Sequence, residues 1–135
     1  MVRIIIAYLA TLAVFAAIDA VWLTHAADLL YRPVIGSLLA PEPRIAPAII
    51  FYLLYIVGLV YFAVMPGLAG GGWRAALLKG ALFGFFAYAT YDLTNQATLA
   101  IWSTRITITD MIWGTFVSGS GAAGGYAVTR FFTRR

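Results

Sequence analysis

Four long apolar stretches alternate with short connectors that are polar or rich in glycine and proline. They cover about residues 4–30, 46–65, 75–101 and 106–132. An α-helix needs about 20 mostly apolar residues to cross a hydrocarbon core roughly 30 Å thick, so each stretch is long enough for one span. The pattern predicts an all-α integral membrane protein. We expect a four-helix antiparallel bundle that forms a single transmembrane domain over residues 1–135.

The composition points to lipid as the surrounding solvent. Hydrophobic residues make up 63% of the chain and charged residues only 10%, whereas about 25% of residues are charged in soluble domains. The net charge is +4, but the Lys and Arg residues lie at the ends of the apolar stretches and form no patch for nucleic acid. Cysteine is absent and histidine occurs once, so we expect no metal site and no cofactor.

The connector between the first two spans, residues 31–44, has a character of its own. It contains three prolines and a glycine, which interrupt a regular helix, and four large aliphatic residues between them. It is too apolar for a solvated loop. The pattern predicts a short interfacial segment that covers the outer mouth of the bundle, with Tyr31 and Arg32 as a lid above the spans.

The distribution of basic residues predicts the orientation of the spans. Six lie on one side and three on the other: Arg3, Arg74, Lys79, Arg130, Arg134 and Arg135 against Arg32, Arg44 and Arg105. Because Lys and Arg are enriched in cytoplasmic segments, both termini are expected in the cytoplasm. The expected location is the bacterial inner membrane.

Three aspartates, Asp19, Asp92 and Asp110, lie within the predicted spans. A carboxylate at the bilayer centre costs roughly 2.5–3.5 kcal/mol on insertion scales, so such residues turn inward and often mark functional sites. At 1.5 Å per residue, Asp19 and Asp92 both lie roughly 6–8 Å outward of the midplane. We therefore expect these two side chains to lie within reach of each other inside the bundle.

Aromatic and polar residues share helix faces with these acids. The spacing Asp-x-x-Trp occurs twice and places an indole beside each of two carboxyl groups, and Asp92 shares its face with two tyrosines and an amide. The predicted ligand-binding residues are Asp19, Trp22, Tyr88, Tyr91, Asp92, Asn95, Asp110 and Trp113. The competing interpretation is a network of hydrogen bonds that only joins the helices.

Several segments also resemble a family of small bacterial membrane proteins of unknown function, the DUF2177 family. The resemblance rests on Asp19-Ala20-Val21-Trp22-Leu23, Tyr31-Arg32-Pro33 with Ile35-Gly36, Phe51-Tyr52-Leu53-Leu54-Tyr55, Ala87-Tyr88-Ala89-Thr90-Tyr91-Asp92-Leu93-Thr94-Asn95 and Asp110-Met111-Ile112-Trp113-Gly114. It extends over nearly the whole chain. It implies a four-span architecture and adds no catalytic residue.

These observations support several functions. The first is the binding of a lipid or another lipophilic small molecule in an acidic and aromatic pocket that opens to the outer leaflet. The second is a small proton-coupled transporter of lipophilic compounds, and the third an acid/base enzyme acting on a membrane-dissolved substrate, for which the catalytic residues are unknown. The fourth is an accessory subunit of a larger membrane complex. The expected partners are membrane lipids, a second copy in a homodimer, or such a complex.

Overall fold

In the computed structural model, residues 1–133 are described, and every regular element in them is helical. This confirms the predicted all-α class. Arg134 and Arg135, which contribute to the predicted charge asymmetry, lie outside the described residues.

The helical backbone runs in three continuous stretches, Val2–Leu38, Ile45–Thr98 and Thr104–Thr133. The first stretch contains α1 (Val2–Ala26), a π-helical turn (Ala27–Tyr31), α2 (Arg32–Ile35) and a 3-10 turn (Gly36–Leu38). The second contains α3 (Ile45–Leu59), a π-helical turn (Val60–Val64), a glycine-rich turn (Gly67–Gly71) and α4 (Gly72–Thr98). The third is α5 (Thr104–Thr133). The count of helical stretches is therefore three, although the second changes direction within its length.

The connector after α1 is more helical than the sequence predicted. The backbone stays helical through Leu38, and only residues 39–44 lack helical structure. Pro33 lies in α2, directly after the π-helical turn, and it lacks the N–H that would donate to the preceding turn. The segment is not one regular helix, as the sequence predicted, but its first half keeps a helical backbone of changing type.

Two glycines reverse the chain inside the second stretch. Gly70 and Gly72 have φ angles of 126° and 73°, which L-residues with a Cβ rarely adopt. Beyond this turn α4 returns along α3. The Phe83 ring lies against Gly58, and Ala76 lies against Gly67. Since the later residue of α4 meets the earlier residue of the preceding stretch, the two segments run antiparallel.

Small residues allow α5 to pack closely against its neighbours. Gly84 of α4 faces the Gly114 carbonyl and Ser118 of α5, and on another side of α5 Gly125 lies against Thr11 of α1. Such small-residue contacts replace the hydrophobic driving force that is missing between helices in lipid. They fix α5 as the helix that both α1 and α4 contact.

The outward surfaces are strongly apolar. The stretches Val2–Leu38 and Ile45–Thr98 are long and apolar enough to cross a membrane, and many large hydrophobic side chains on them are exposed, such as Leu54 at 66%. Soluble monomers rarely expose apolar patches of this extent. The apolar helices are those of a membrane protein.

The close contact between α4 and α5 predicts a sharp cost for any side chain at position 84. In Gly84→Ala the new methyl group collides with the Gly114 carbonyl and the Ser118 side chain, and overpacking of this kind costs about 1–3 kcal/mol. We expect a lower melting temperature of the purified protein in detergent.

Gly36→Ala is the matched control. No atom lies within 4 Å of a Cβ built at Gly36, so its melting temperature should stay at the wild-type value or rise slightly. Equal melting temperatures for the two variants would contradict the close α4–α5 packing.

Candidate functional site

Asp19 is held by one donor on each of its two carboxylate oxygens. It lies on α1 and is 6% exposed. The Tyr52 hydroxyl of α3 donates to Oδ2, and Trp113 Nε1 of α5 donates to Oδ1 at 3.0 Å. The carboxylate thereby connects three helices, and both of its oxygens are satisfied.

Asp110 occupies a second cluster, which faces Tyr31. It lies on α5, is 3% exposed, and accepts a hydrogen bond from the Tyr31 hydroxyl at Oδ1. The same hydroxyl accepts a hydrogen bond from Trp22 Nε1 at 3.4 Å. A chain of donors therefore runs from α1 through the π-helical turn to α5.

Asp92 lies behind Asp110 and is fully buried, at 0% exposure. Its carboxyl group lies close enough to that of Asp110 for the two groups to interact electrostatically. Within residues 1–133, neither oxygen of the Asp92 carboxyl group has a hydrogen-bond partner. Because two ionised carboxylates offer only acceptors, a hydrogen bond between Asp92 and Asp110 requires a proton on one of them.

The two Asp-x-x-Trp motifs pair crosswise. Trp113 of the second motif bonds to Asp19 of the first, and Trp22 of the first is linked through Tyr31 to Asp110 of the second. The two indoles stack between these acids, with ring centroids 4.5 Å apart and planes 7° from parallel. The two motifs therefore connect α1 to α5 through these hydrogen bonds and the stacked indole rings.

A cleft of about 570 Å³ opens beside the Tyr31–Asp110 pair. Its walls come from α1, the π-helical turn, α2, α3, α4 and α5, and they are mainly aromatic and aliphatic. The lining residues are Leu23, Ala27, Tyr31, Ile35, Leu39, Phe51, Tyr55, Ala87, Tyr88, Tyr91 and Asp110. Asp110 has the one carboxyl group among them, so the cleft has mainly apolar walls and one acidic side chain.

The structure regroups the residues that the sequence put forward. Asp92 lies beside Asp110, and Asp19 is bonded to Tyr52 and Trp113, whereas the sequence paired Asp92 with Asp19. The expected depth match came from helix centres alone, and the depth of a residue does not determine which neighbouring helix its side chain faces. The two acid clusters are joined through the Trp22–Trp113 stack.

The two tyrosines predicted to share a helix face with Asp92 make no hydrogen bond to it. The Tyr88 ring packs on Gly114 and lines the cleft. Tyr91 is 58% exposed and meets Trp102 edge to face, with ring centroids 6.0 Å apart. Asn95 lies one turn further along the same helix. These residues shape the wall of the cleft.

The two proposed lid residues point in different directions. Tyr31 faces the cleft and Asp110. Arg32 instead forms an ion pair with Asp28, with 2.9 Å between Nε and Oδ1, and both side chains are about 70% exposed. A surface pair of this kind contributes little, so only Tyr31 belongs to the site.

Two tyrosines of α3 complete the site and were not among the sequence candidates. Tyr52 bonds to Asp19, and the Tyr55 hydroxyl lies 2.7 Å from Ser118 Oγ. A phenolic hydroxyl in an otherwise apolar span needs a partner, and two of them three residues apart share a helix face. That spacing was the available signal for a polar contact made by this helix.

The apolar helices and the buried acidic clusters define a helical membrane protein. Residues 4–127 match the family described as "Predicted membrane protein (DUF2177)", and the chain belongs to that family, as its motifs indicated. No curated protein and no solved structure matches the chain.

Asp92→Asn tests the contact between the two buried acids. An asparagine amide donates to the Asp110 carboxylate and needs no extra proton, so we expect a melting temperature equal to or above that of the wild type. Asp92→Ala leaves a cavity beside Asp110 and supplies no donor, so we expect it to unfold about 1–3 kcal/mol more easily than Asp92→Asn. Unfolding of both variants in detergent, followed by circular dichroism, makes the comparison. A large loss in Asp92→Asn would contradict the contact.

Proposed function

We propose that this chain is a polytopic inner-membrane protein whose cleft binds a lipid or another lipophilic small molecule from the outer leaflet. The observation that carries the proposal is the cleft itself, about 570 Å³ in volume, with aromatic walls and the Tyr31–Asp110 pair at one point. Small-molecule sites in proteins are typically about 300–1,000 Å³ and mainly apolar, with a few placed polar groups.

The shape of the proposed ligand follows from this distribution of polarity. Phe51, Tyr55 and Tyr88 offer ring faces to an apolar chain or ring system. The Tyr31 hydroxyl and the Asp110 carboxyl offer a hydrogen-bonding point for one polar group. An amphiphile with a small polar head and an apolar body satisfies both, and Tyr31 is the residue that it must pass to reach Asp110.

The proposed membrane arrangement is a four-span antiparallel bundle with both termini in the cytoplasm. Its spans are the α1 stretch, α3 with its π-helical turn, α4, and α5. Antiparallel packing of α4 on α3 and the excess of basic residues at one end support this arrangement. The cleft then faces the outer leaflet, because Leu39 and Ile35 of the α1–α3 connector line it.

Single cysteines test this topology, since the natural chain has none. With a membrane-impermeant maleimide, we expect Ser37→Cys to be labelled in intact spheroplasts and Thr133→Cys only after the membrane is opened. Ser118→Cys is the control, because Ser118 is fully buried and should stay unlabelled in both cases. Labelling of Thr133→Cys from outside would overturn the orientation.

Filling the cleft should abolish ligand binding. Ala87 lines the cleft, so Ala87→Phe occupies its space without removing any polar contact. The probe is a pyrene-labelled diacylglycerol in lipid nanodiscs, and the signal is energy transfer from the tryptophans, since Trp22 and Trp113 lie beside Asp110. We expect saturable transfer in the wild type and at least a tenfold weaker affinity in Ala87→Phe.

Ala89→Phe is the matched control, because Ala89 is half-buried on the same helix and outside the cleft lining. The proposal fails if both variants bind the probe as the wild type does. It also fails if the wild type shows only the non-saturable transfer of a probe diluted in lipid.

A proton-coupled transporter of lipophilic compounds is the second candidate, and the contact between Asp92 and Asp110 favours it. A ligand at Asp110 would lie beside a second buried carboxyl group, that of Asp92, which can bind and release a proton. If the protein is such a transporter, adding tetraphenylphosphonium to proteoliposomes should cause proton movement across the membrane. Asp92→Asn should abolish this proton movement. The acid/base enzyme and the accessory subunit lack such an observation, and co-purification from native membranes in mild detergent tests the latter.

A further inference from the structure

A second polar cavity lies at the opposite end of the helices from the acids. Its volume is about 230 Å³, and it is lined by Arg3, Leu68, Tyr126, Arg130 and Thr133. Three segments meet there: the first turn of α1, the glycine-rich turn before α4, and the last turns of α5. Two guanidinium groups from distant parts of the sequence thus face one small space.

Both arginines are anchored, each by one hydrogen bond. Arg3 Nη2 donates to the Leu68 carbonyl at 2.9 Å. Arg130 Nη1 donates to the Tyr126 hydroxyl at 2.5 Å, and its guanidinium lies 5.9 Å from the centroid of the same, almost fully buried ring. A guanidinium has five N–H donors, so each group is held in place with donors to spare.

No carboxylate side chain of the chain is near enough to neutralise these charges. The five acidic residues are Asp19, Asp28, Glu42, Asp92 and Asp110. On the same helices, Asp19 is about 24 Å from Arg3 and Asp110 about 30 Å from Arg130, at 1.5 Å per residue. The carbonyl end of α5 offers only about half a negative charge. A compensating anion must therefore come from outside these side chains.

An apolar groove begins directly beside this basic cavity. Its volume is about 760 Å³, and it runs between the first turns of α1 and the second half of the α3 stretch. Consecutive residues border the two spaces: Arg3 lines the cavity and Ile4 the groove, and likewise Leu68 lines the cavity and Ala69 the groove. A molecule with an anionic head and an aliphatic chain matches both.

We propose that this end of the protein binds one phospholipid with a net negative charge, with its phosphate between Arg3 and Arg130 and an acyl chain in the groove. Arginine is suited to this role because its planar fork donates two parallel hydrogen bonds to phosphate oxygens. The site is separate from the cleft at Asp110 and does not depend on what binds there. In the proposed topology it lies in the cytoplasmic leaflet.

Native mass spectrometry of the purified protein with added lipid tests the proposal. The probes are dioleoyl phosphatidylglycerol, its dihexanoyl analogue with short chains, dioleoyl phosphatidylcholine and inorganic phosphate. We expect one dioleoyl phosphatidylglycerol per chain to be retained about tenfold more strongly than phosphatidylcholine. The short-chain analogue should bind more weakly because it leaves the groove empty, and inorganic phosphate should not displace the lipid.

The variants are Arg3→Gln and Arg130→Gln, each of which keeps an N–H donor for the existing anchor. Loss of a charge-assisted hydrogen bond should weaken phosphatidylglycerol binding about tenfold in either variant. Arg74→Gln is the matched control, since Arg74 lies over Trp73 and outside the cavity, and it should bind as the wild type does. Arg3→Lys and Arg130→Lys keep the charge and serve if a glutamine variant fails to fold; they should bind with intermediate affinity.

The possible results separate the alternatives. Equal weakening in all three glutamine variants would mean diffuse surface attraction and would overturn the site. Equal retention of phosphatidylglycerol and phosphatidylcholine would overturn the requirement for net charge. Displacement by inorganic phosphate would assign the cavity to a free anion and overturn the lipid proposal. Equal binding of the short-chain analogue would overturn the placement of an acyl chain in the groove.

Discussion

A carboxyl group inside a bilayer must find its hydrogen-bond partners within the protein, because lipid offers none. This constraint shapes the half of the molecule that contains the acids. Asp19 takes donors from α3 and α5, and Asp110 takes one from the turn that follows α1. The acids thereby determine how four segments of helix meet, and the same contacts place Asp110 at the edge of the cleft. Structural and functional roles are thus combined in the same side chains.

Close helix packing is the second requirement, and α5 meets it with small residues. Gly114 accommodates the Tyr88 ring and Gly125 accommodates Thr11. Twelve residues of α5 are buried, and most of them are small or polar. A helix that contacts several others needs small residues at those contacts, where backbones approach closely.

The two ends of the bundle differ in charge, and their candidate sites differ accordingly. All five acidic residues lie toward the end that carries the cleft, and the cavity between Arg3 and Arg130 lies at the other end. An apolar space adjoins the polar groups at each end. Both proposed sites therefore suit amphiphilic molecules, one with a head that can pair with a carboxyl group and one with an anionic head.

The sequence alone determined the helical class, the membrane setting, the family and the inward position of three aspartates. These properties depend on local patterns. The length of an apolar stretch and the free-energy cost of a carboxyl group in lipid can be judged without knowing which helices pack together. Only the tertiary structure decided which acid meets which. Asp92 lies beside Asp110, and Asp19 accepts a hydrogen bond from Tyr52, which was not among the sequence candidates. The reason is that the rotation and pairing of helices follow from glycine contacts, such as Gly84 on Ser118, between residues far apart in the chain.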